Sequence, residues 1–201
     1  SMEMLTGVMA AFGLSASAGL NAYIPLLVIS LTARFTDLLH LSEPWDALTS
    51  WWIIGLLFVL SLIEFFADKV PAINHANDAI QTFVRPVAGA IVFAASANVI
   101  SEVHPVLALG AGVLVSGTVH AVKAAAVRPA VTASTGGVGN VPVSVAEDIF
   151  ATGLSILAII IPILIAFIFI LFAALIVWLF SRRNKQQEIE QANTAKQKKA
   201  D

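Results

Sequence analysis

Residues 50–70 read SWWIIGLLFVLSLIEFFADKV, and this stretch decides the class of fold. It opens with two tryptophans and is almost entirely apolar as far as Ile63, after which charged side chains begin. An α-helix needs about 20 mostly apolar residues to cross the hydrocarbon core of a bilayer. Tryptophan is enriched at the membrane–water interface. The stretch is therefore predicted to be a transmembrane helix with its tryptophans at one interface.

The composition of the chain agrees with a membrane location. Of its 201 residues, 58% are hydrophobic and 12% are charged, whereas a soluble domain averages about 25% charged residues. We therefore expect the lipid bilayer to be the partner of much of the surface. The net charge of −2 gives no electrostatic reason to expect nucleic acid binding. The absence of cysteine excludes disulfides, thiolate metal sites and cysteine nucleophiles.

Further apolar stretches surround this one, at residues 4–33, 78–100, 105–126, 128–155 and 157–180. Only helices and closed barrels can span a bilayer, because lipid offers the backbone no hydrogen bonds. The stretches lack the alternation of apolar and polar residues that is typical of strands. We therefore predict an all-α integral membrane protein with about six transmembrane elements, two of them broken helices or re-entrant segments. Counting the second broken stretch as re-entrant leaves five crossings.

The distribution of lysine and arginine orients this arrangement. Cytoplasmic segments carry an excess of these residues, and six of the 11 lie in the last 20 residues of the chain. We therefore expect a polytopic membrane domain at 1–181 and a polar cytoplasmic tail at 182–201. With six crossings, the N-terminus lies in the cytoplasm as well.

Two interruptions of the apolar pattern resemble each other. Residues 15–25 read SASAGLNAYIP, and residues 132–142 read TASTGGVGNVP. Chance among small residues is one explanation, and close helix packing is another. The third is an internal repeat, since broken helices at corresponding positions mark the substrate site in many transporter folds. The N–H groups at a new helix start could then bind an anion.

Ionisable side chains occur within or beside the apolar stretches. In lipid such groups are costly, so they usually face the protein interior and pair with one another. Glu64 and Asp68 share a helix face, and so do His120 and Lys123. These groups form either a functional site or a structural network, and some could snorkel to the interface. The candidates for binding a substrate or ion are Asn21, Glu64, Asp68, Lys69, His75, Asp78, Arg85, His120, Lys123, Arg128, Asn140, Glu147 and Asp148.

Several motifs together resemble a bacterial integral-membrane family named domain of unknown function 4126, over about residues 5–155. They are GLSASAGLNAYIP at 13–25, EFFADKVP at 64–71 with His75 and Asp78, Arg85-Pro86, His120-x-x-Lys123, and Asn140-x-Pro142 with Glu147-Asp148. The resemblance implies the cytoplasmic membrane of a bacterium and no particular activity. The break in the first span is also similar to that of lysine-exporter-type proteins. The string at 64–69 is similar to one in a cation/proton exchanger family.

The leading functional hypothesis is a small secondary transporter or a channel-like protein for a small ion or polar solute. One alternative is an intramembrane enzyme acting on a phosphorylated lipid headgroup, with His75 or His120 as acid or base. Another is a non-catalytic membrane scaffold. No nucleotide-binding, HExxH or Gly-x-Ser-x-Gly motif is present, so no cofactor is evident. Metal binding by carboxylates and imidazole stays open. Whether the chain forms a homo-oligomer stays open, although about 200 residues is small for a monomeric transporter.

Overall fold

The computed structural model describes residues 2–97, 104–162, 167–168, 170–178 and 182, with the backbone alone for 2–4, 71, 72, 74, 75 and 97. All regular structure within these ranges is helical. The elements are α1 (Met2–Leu20), α2 (Tyr23–Phe35), a 3-10 helix (Trp45–Thr49), α3 (Trp51–Ala67), α4 (Pro71–Ala97), α5 (Pro105–Val122), a π-helical segment (Lys123–Val127), α6 (Arg128–Thr135) and α7 (Asn140–Ile160).

The chain divides into two compact units, residues 1–165 and 166–201. The first unit contains every element named above. In the second, residues 167–168 and 170–178 are helical, and the Arg182 guanidinium lies 4.6 Å from the centre of the Trp178 ring. The predicted tail lies outside the described residues, apart from Arg182, and the predicted boundary at 181–182 stays a prediction.

The helices are compatible with a membrane protein, as the composition predicts. Three are long and apolar enough to cross a membrane: Ala76–Ser96, Pro105–Thr135 and Asn140–Ile160. Leu5–Leu20, Tyr23–Phe35 and Trp51–Ala67 are shorter apolar helices. The all-α class is thus confirmed for the described residues, whereas six transmembrane elements are not. The apolar stretch that follows Ser50 forms α3. The Ser50 hydroxyl accepts a hydrogen bond from the N–H of Ile53 at 3.4 Å, at the start of this helix.

Helices α1 and α2 form a hairpin whose tip, Asn21–Ala22, lies inside the bundle. Leu14 on α1 and Ile29 on α2 are buried in the same apolar cluster, although they would lie about 22 Å apart in one continuous helix. Trp45, which follows α2, packs against the cluster that contains Ala11. Both arms of the hairpin therefore point toward the end of the bundle where Trp45 lies, called here the Trp45 end.

Small residues allow α4 and α5 to approach closely. A Cβ atom added at Gly112 would meet the backbone of Gly89 and Ala90, and one added at Gly19 would meet Val119. Ser15 on α1 donates a hydrogen bond to the carbonyl of Gly112 at 2.8 Å. The packing of α1, α4 and α5 is therefore close enough to bring the side chains at the hairpin tip together.

The second sequence interruption has a different geometry from the first. It forms the turn between α6 and α7, where Gly136 and Gly137 have φ angles of 63° and 92°. Such angles suit glycine because it lacks a Cβ atom. The first interruption contains no residue with positive φ, and side chains cap its helix ends instead. The predicted internal repeat is therefore not confirmed. The turn lies beyond the hairpin tip, at what is called here the Gly136 end.

Candidate functional site

Eight ionisable side chains meet around the hairpin tip, and they are called here the charge network. The set contains four carboxylates and four cations: Glu64, Asp68, Glu147 and Asp148, with Lys69, Arg85, Lys123 and Arg128. Seven of these residues are between 0% and 9% exposed, and the side chain of Lys69 is 15% exposed. With all eight groups ionised, the formal charge of the network is zero.

The Glu64–Arg85 pair is the most deeply buried part of the network. The Nη2 atom of Arg85 donates to Oε1 of Glu64 at 2.9 Å, and neither side chain is exposed. Arg85 Nη2 also lies 3.7 Å from Oδ2 of Asp68. Its Nη1 atom donates to Nδ1 of His120 at 3.1 Å. A single guanidinium from the middle of α4 therefore joins residues of α3 and α5.

The hydrogen bonds of His120 define its tautomer. An arginine nitrogen can only donate, so Nδ1 of His120 accepts and carries no proton. On the other side of the ring, Nε2 lies 3.2 Å from the hydroxyl of Thr82. That hydroxyl donates its own proton to the carbonyl of Asp78 at 2.8 Å, so it accepts from Nε2–H. This arrangement corresponds to the neutral Nε2–H tautomer.

Asp68 and Glu147 share the remaining buried cations. Glu147 Oε2 lies 2.7 Å from the Lys123 ammonium and 3.1 Å from Nη2 of Arg128. Asp68 Oδ2 lies 3.8 Å from Lys123 and 3.5 Å from Arg128. The other Asp68 oxygen accepts from the Asn77 amide at 2.7 Å. Asp68 is therefore surrounded by three cations, including Arg85, with no short contact to any of them.

The charge network also caps the two helix ends that meet at the tip. Lys123 Nζ donates to the carbonyl of Leu20 at 3.1 Å, at the C-terminal end of α1. At the start of α2, the N–H of Ala22 donates to Glu64 Oε2 at 3.2 Å. A cation at a helix C-terminus and an anion at a helix N-terminus both complement the helix dipole. The helix break is therefore stabilised by charges of the appropriate sign.

Asn21 completes the cap and connects it to α7. Its Oδ1 atom accepts from the N–H groups of Tyr23 and Ile24, each at 3.1 Å. Its Nδ2 atom donates to Asp148 Oδ1 at 3.0 Å. The other Asp148 oxygen lies 3.0 Å from the Lys69 ammonium. The Asn21 side chain thus caps the start of α2 and links it to Asp148 on α7.

Grooves on two sides of the bundle reach this polar centre. One, of about 260 Å³, has Asn21 and Asp148 among its lining residues and is otherwise mostly apolar. A neighbouring groove of about 510 Å³ also reaches Asp148. A third, of about 360 Å³, is lined by His120 and Thr82 with small residues around them. The network is therefore buried but close to surface openings.

Ten of the predicted candidates are brought together at the tip: Asn21, Glu64, Asp68, Lys69, Arg85, His120, Lys123, Arg128, Glu147 and Asp148. Asp78 contributes its backbone carbonyl through Thr82. Asn140 lies apart, hydrogen-bonded to the exposed Thr132, because the second interruption is a turn. The side chain of His75 lies outside the described part of the structure. Sequence reasoning missed Asn77 and Thr82, which lie two turns and one turn before Arg85 on α4.

Metal binding receives no support from the described part of the chain, where no group of three or more His, Asp or Glu side chains is arranged to hold a metal ion. Each network carboxylate has a cationic partner within 4 Å. The chemistry available is therefore ion pairing, hydrogen bonding and proton uptake by carboxylates.

Comparison with protein-family models gives a match over most of the chain. The family model with the description "Domain of unknown function (DUF4126)" matches residues 8–182. No curated protein and no solved structure matches the chain. The matched range includes every residue of the charge network.

Proposed function

The chain belongs to the family described as domain of unknown function (DUF4126), and we propose that it is a small secondary transporter or channel-like protein that moves a small ion or polar solute. In this proposal the α1–α2 hairpin is re-entrant, and the charge network at its tip is the site through which the solute passes. The observation that carries the proposal is the burial of eight balanced charges around a helix break.

A purely structural role accounts less well for this burial. Replacing a buried ion pair by apolar residues of similar volume is often neutral or stabilising. Helices in a bilayer can be held together by apolar packing and small residues alone, and both are present between α4 and α5. Ionisable groups inside a membrane domain usually mark an ion or substrate pathway. The network therefore supports a transport role better than a scaffold role.

The position of Asp68 provides a basis for coupling. Its Oδ2 atom lies 3.5, 3.7 and 3.8 Å from Arg128, Arg85 and Lys123. The three distances are nearly equal, so Asp68 can change its main partner with a small movement. A proton or solute that removes one ion pair can therefore be compensated by another, which is the behaviour that a two-state transport cycle needs.

The lipid-headgroup enzyme has weaker support. Both ring nitrogens of His120 are hydrogen-bonded to protein groups, which leaves neither of them available as an acid or base for a lipid. A turnover measurement with labelled phospholipid in detergent distinguishes this alternative, because an enzyme needs no gradient and a transporter produces no new product.

The positions of the lysines and arginines suggest a membrane orientation. We place the Gly136 end in the bacterial cytoplasm, since Arg34 alone among the described lysines and arginines of the first unit lies near the Trp45 end, where it donates to the carbonyl of Thr49. The expectation of a cytoplasmic N-terminus depended on six crossings. In a re-entrant hairpin the start of α1 lies at the Trp45 end, on the side of the membrane away from the cytoplasm. The tail stays cytoplasmic in the proposal.

Reconstitution into liposomes tests the proposal. Solute flux is measured for a panel of monovalent cations, small anions and amino acids, with the wild type, Glu64→Gln and the exposed control Asp37→Asn. We expect flux of at least one class in the wild type and in Asp37→Asn, and at least a tenfold loss in Glu64→Gln. Absence of flux for every class with folded wild-type protein would contradict the proposal.

A further inference from the structure

Glu64 occupies a position where a free anion would bind. Its Oε2 atom accepts from the N–H of Ala22 at the start of the 13-residue helix α2. Its Oε1 atom accepts from Arg85. Helix N-termini bind anions because their N–H groups are unpaired and the helix dipole is positive there. The sequence predicted that such N–H groups could hold an anion, and in the structure a side chain of the protein fills this place.

The Arg85 guanidinium, which binds Glu64, has a hydrogen-bond donor without a partner among the described residues. Arg85 is 0% exposed, yet its Nε atom has no hydrogen-bond partner among the described residues. Of the guanidinium nitrogens, Nη2 alone donates to Glu64, at 2.9 Å. Arginine binds carboxylates most strongly through two parallel N–H groups. A free oxyanion in place of Glu64 could accept from both Nε and Nη2, which the tethered side chain does not do.

The net charge of the network links the protonation of Glu64 to the binding of an anion. The four carboxylates and four cations of the network cancel when all are ionised. A proton on Glu64 turns its carboxylate into a neutral acid and leaves one positive charge in excess. The charged and titratable groups that face Glu64 are Arg85 on α4, Asp68 after α3, Lys123 in the π-helical segment and Tyr23 on α2. A monovalent anion would restore neutrality.

We propose that Arg85 and the start of α2 form a binding site for a small monovalent oxyanion of the carboxylate class, which Glu64 occupies when ionised and leaves when protonated. The consequence for transport rests on the proposed function: the solute is an anion that moves together with a proton. The binding site itself can be tested without any flux.

The experiment is thermal unfolding of the full chain in detergent, titrated with sodium formate at constant ionic strength set by the bulkier gluconate. The wild type is compared with Glu64→Gln and Glu64→Ala. Glu64→Ala empties the site, whereas the amide of Glu64→Gln, like a protonated Glu64, carries no charge to compete with a free anion, so both variants are expected to be stabilised by formate. The expected rise is saturable and roughly 5–10 °C at a formate concentration 100 times Kd. The wild type at neutral pH is expected to shift by less than about one degree.

Two controls test whether the effect of formate depends on this site. In the Glu64→Gln/Arg85→Met double variant the guanidinium is absent, so formate should no longer stabilise the protein. Asp37→Asn, which removes an exposed carboxylate, should behave as the wild type. Glu64→Gln keeps the shape of the side chain and serves if Glu64→Ala does not fold.

Three results would overturn the anion site: no formate effect in either Glu64 variant, an equal effect in Asp37→Asn, or an undiminished effect without Arg85. The flux assay separates the two proposals. If formate stabilises the Glu64 variants but the wild type moves no solute, the anion site is supported and transport is refuted. If the wild type moves a cation or neutral solute and formate does not stabilise the Glu64 variants, transport is supported and the anion site is refuted.

Discussion

Replacing Arg85 by methionine is expected to destabilise the protein more than any other single substitution in the charge network. The side chain is fully buried and makes a 2.9 Å ion pair with Glu64, whose side chain is also 0% exposed. It donates to His120 at 3.1 Å. Methionine has a similar length but no charge and no donor. The variant therefore leaves one buried carboxylate and one ring nitrogen without their partner.

The magnitude follows from these contacts. Removing one partner of a buried ion pair costs about 3–5 kcal/mol. An unsatisfied neutral acceptor costs about 1–3 kcal/mol, although relaxation makes such terms less than additive. The loss of the Arg85–Asp68 contact adds little to this cost, because Lys123 and Asn77 remain beside Asp68. A net loss of about 4 kcal/mol corresponds to roughly 8–16 °C in the unfolding temperature of a chain of this size.

The assay is thermal unfolding in detergent, followed by loss of helical circular dichroism. The matched variant is Glu64→Gln/Arg85→Met, which removes both charges and keeps an amide oxygen for the N–H of Ala22. It should recover most of the loss and remain about 1–2 kcal/mol less stable than the wild type, owing to His120. A loss below about 1 kcal/mol in the single variant, or a double variant as unstable as the single one, would refute the reasoning.

Three further predictions concern the packing, the helix cap and the membrane orientation. Gly112→Ala should lower stability by about 1–3 kcal/mol because its Cβ atom meets the α4 backbone, whereas Gly110→Ala, which has open space around it, should not; equal effects would argue against the close approach. Asn21→Ala removes the side-chain cap at the start of α2 and should cost about 1–2 kcal/mol, while Asn140→Ala at the turn between α6 and α7 should cost less than about 0.5 kcal/mol. Thermal unfolding measures both, and a larger loss of stability in Asn140→Ala would contradict the role of Asn21 as a cap. Val138→Cys introduces the single cysteine of the chain and should react with an impermeant maleimide only from the cytoplasmic face; reaction from outside would reverse the proposed orientation.

The class of fold could be predicted from the sequence because hydropathy is a local property. The apolar run of α3 and the low charged fraction are sufficient to predict membrane-type helices. Most residues of the charge network could also be found, since an ionisable residue inside an apolar run needs a partner in the protein. Glu64 and Arg85 are identified in this way without any knowledge of the fold.

The spatial arrangement could not be predicted, because it depends on contacts between distant segments. A stretch of small residues around Asn21 shows that a helix is interrupted, but it does not give the direction in which the chain continues. The similar stretch around Asn140 becomes an ordinary turn, because two consecutive glycines there adopt positive φ. Thr82 is uncharged, so nothing in its local sequence marks it as a partner of His120. The alanine-rich segment Lys123–Val127 gives no signal for a π-helix, since alanine is a strong α-helix former.

The most direct test of the central claim is the solute flux of the Glu64→Gln/Arg85→Met double variant in liposomes, measured beside the wild type at equal amounts of folded protein. This variant retains a neutral network of three carboxylates and three cations, and we expect it to retain the fold. A loss of flux therefore cannot be attributed to unfolding. If the hairpin tip is the transport site, the wild type conducts and the double variant has lost at least nine-tenths of the flux. Equal flux in the two proteins would contradict the claim, because the charges at the tip would then be dispensable for transport.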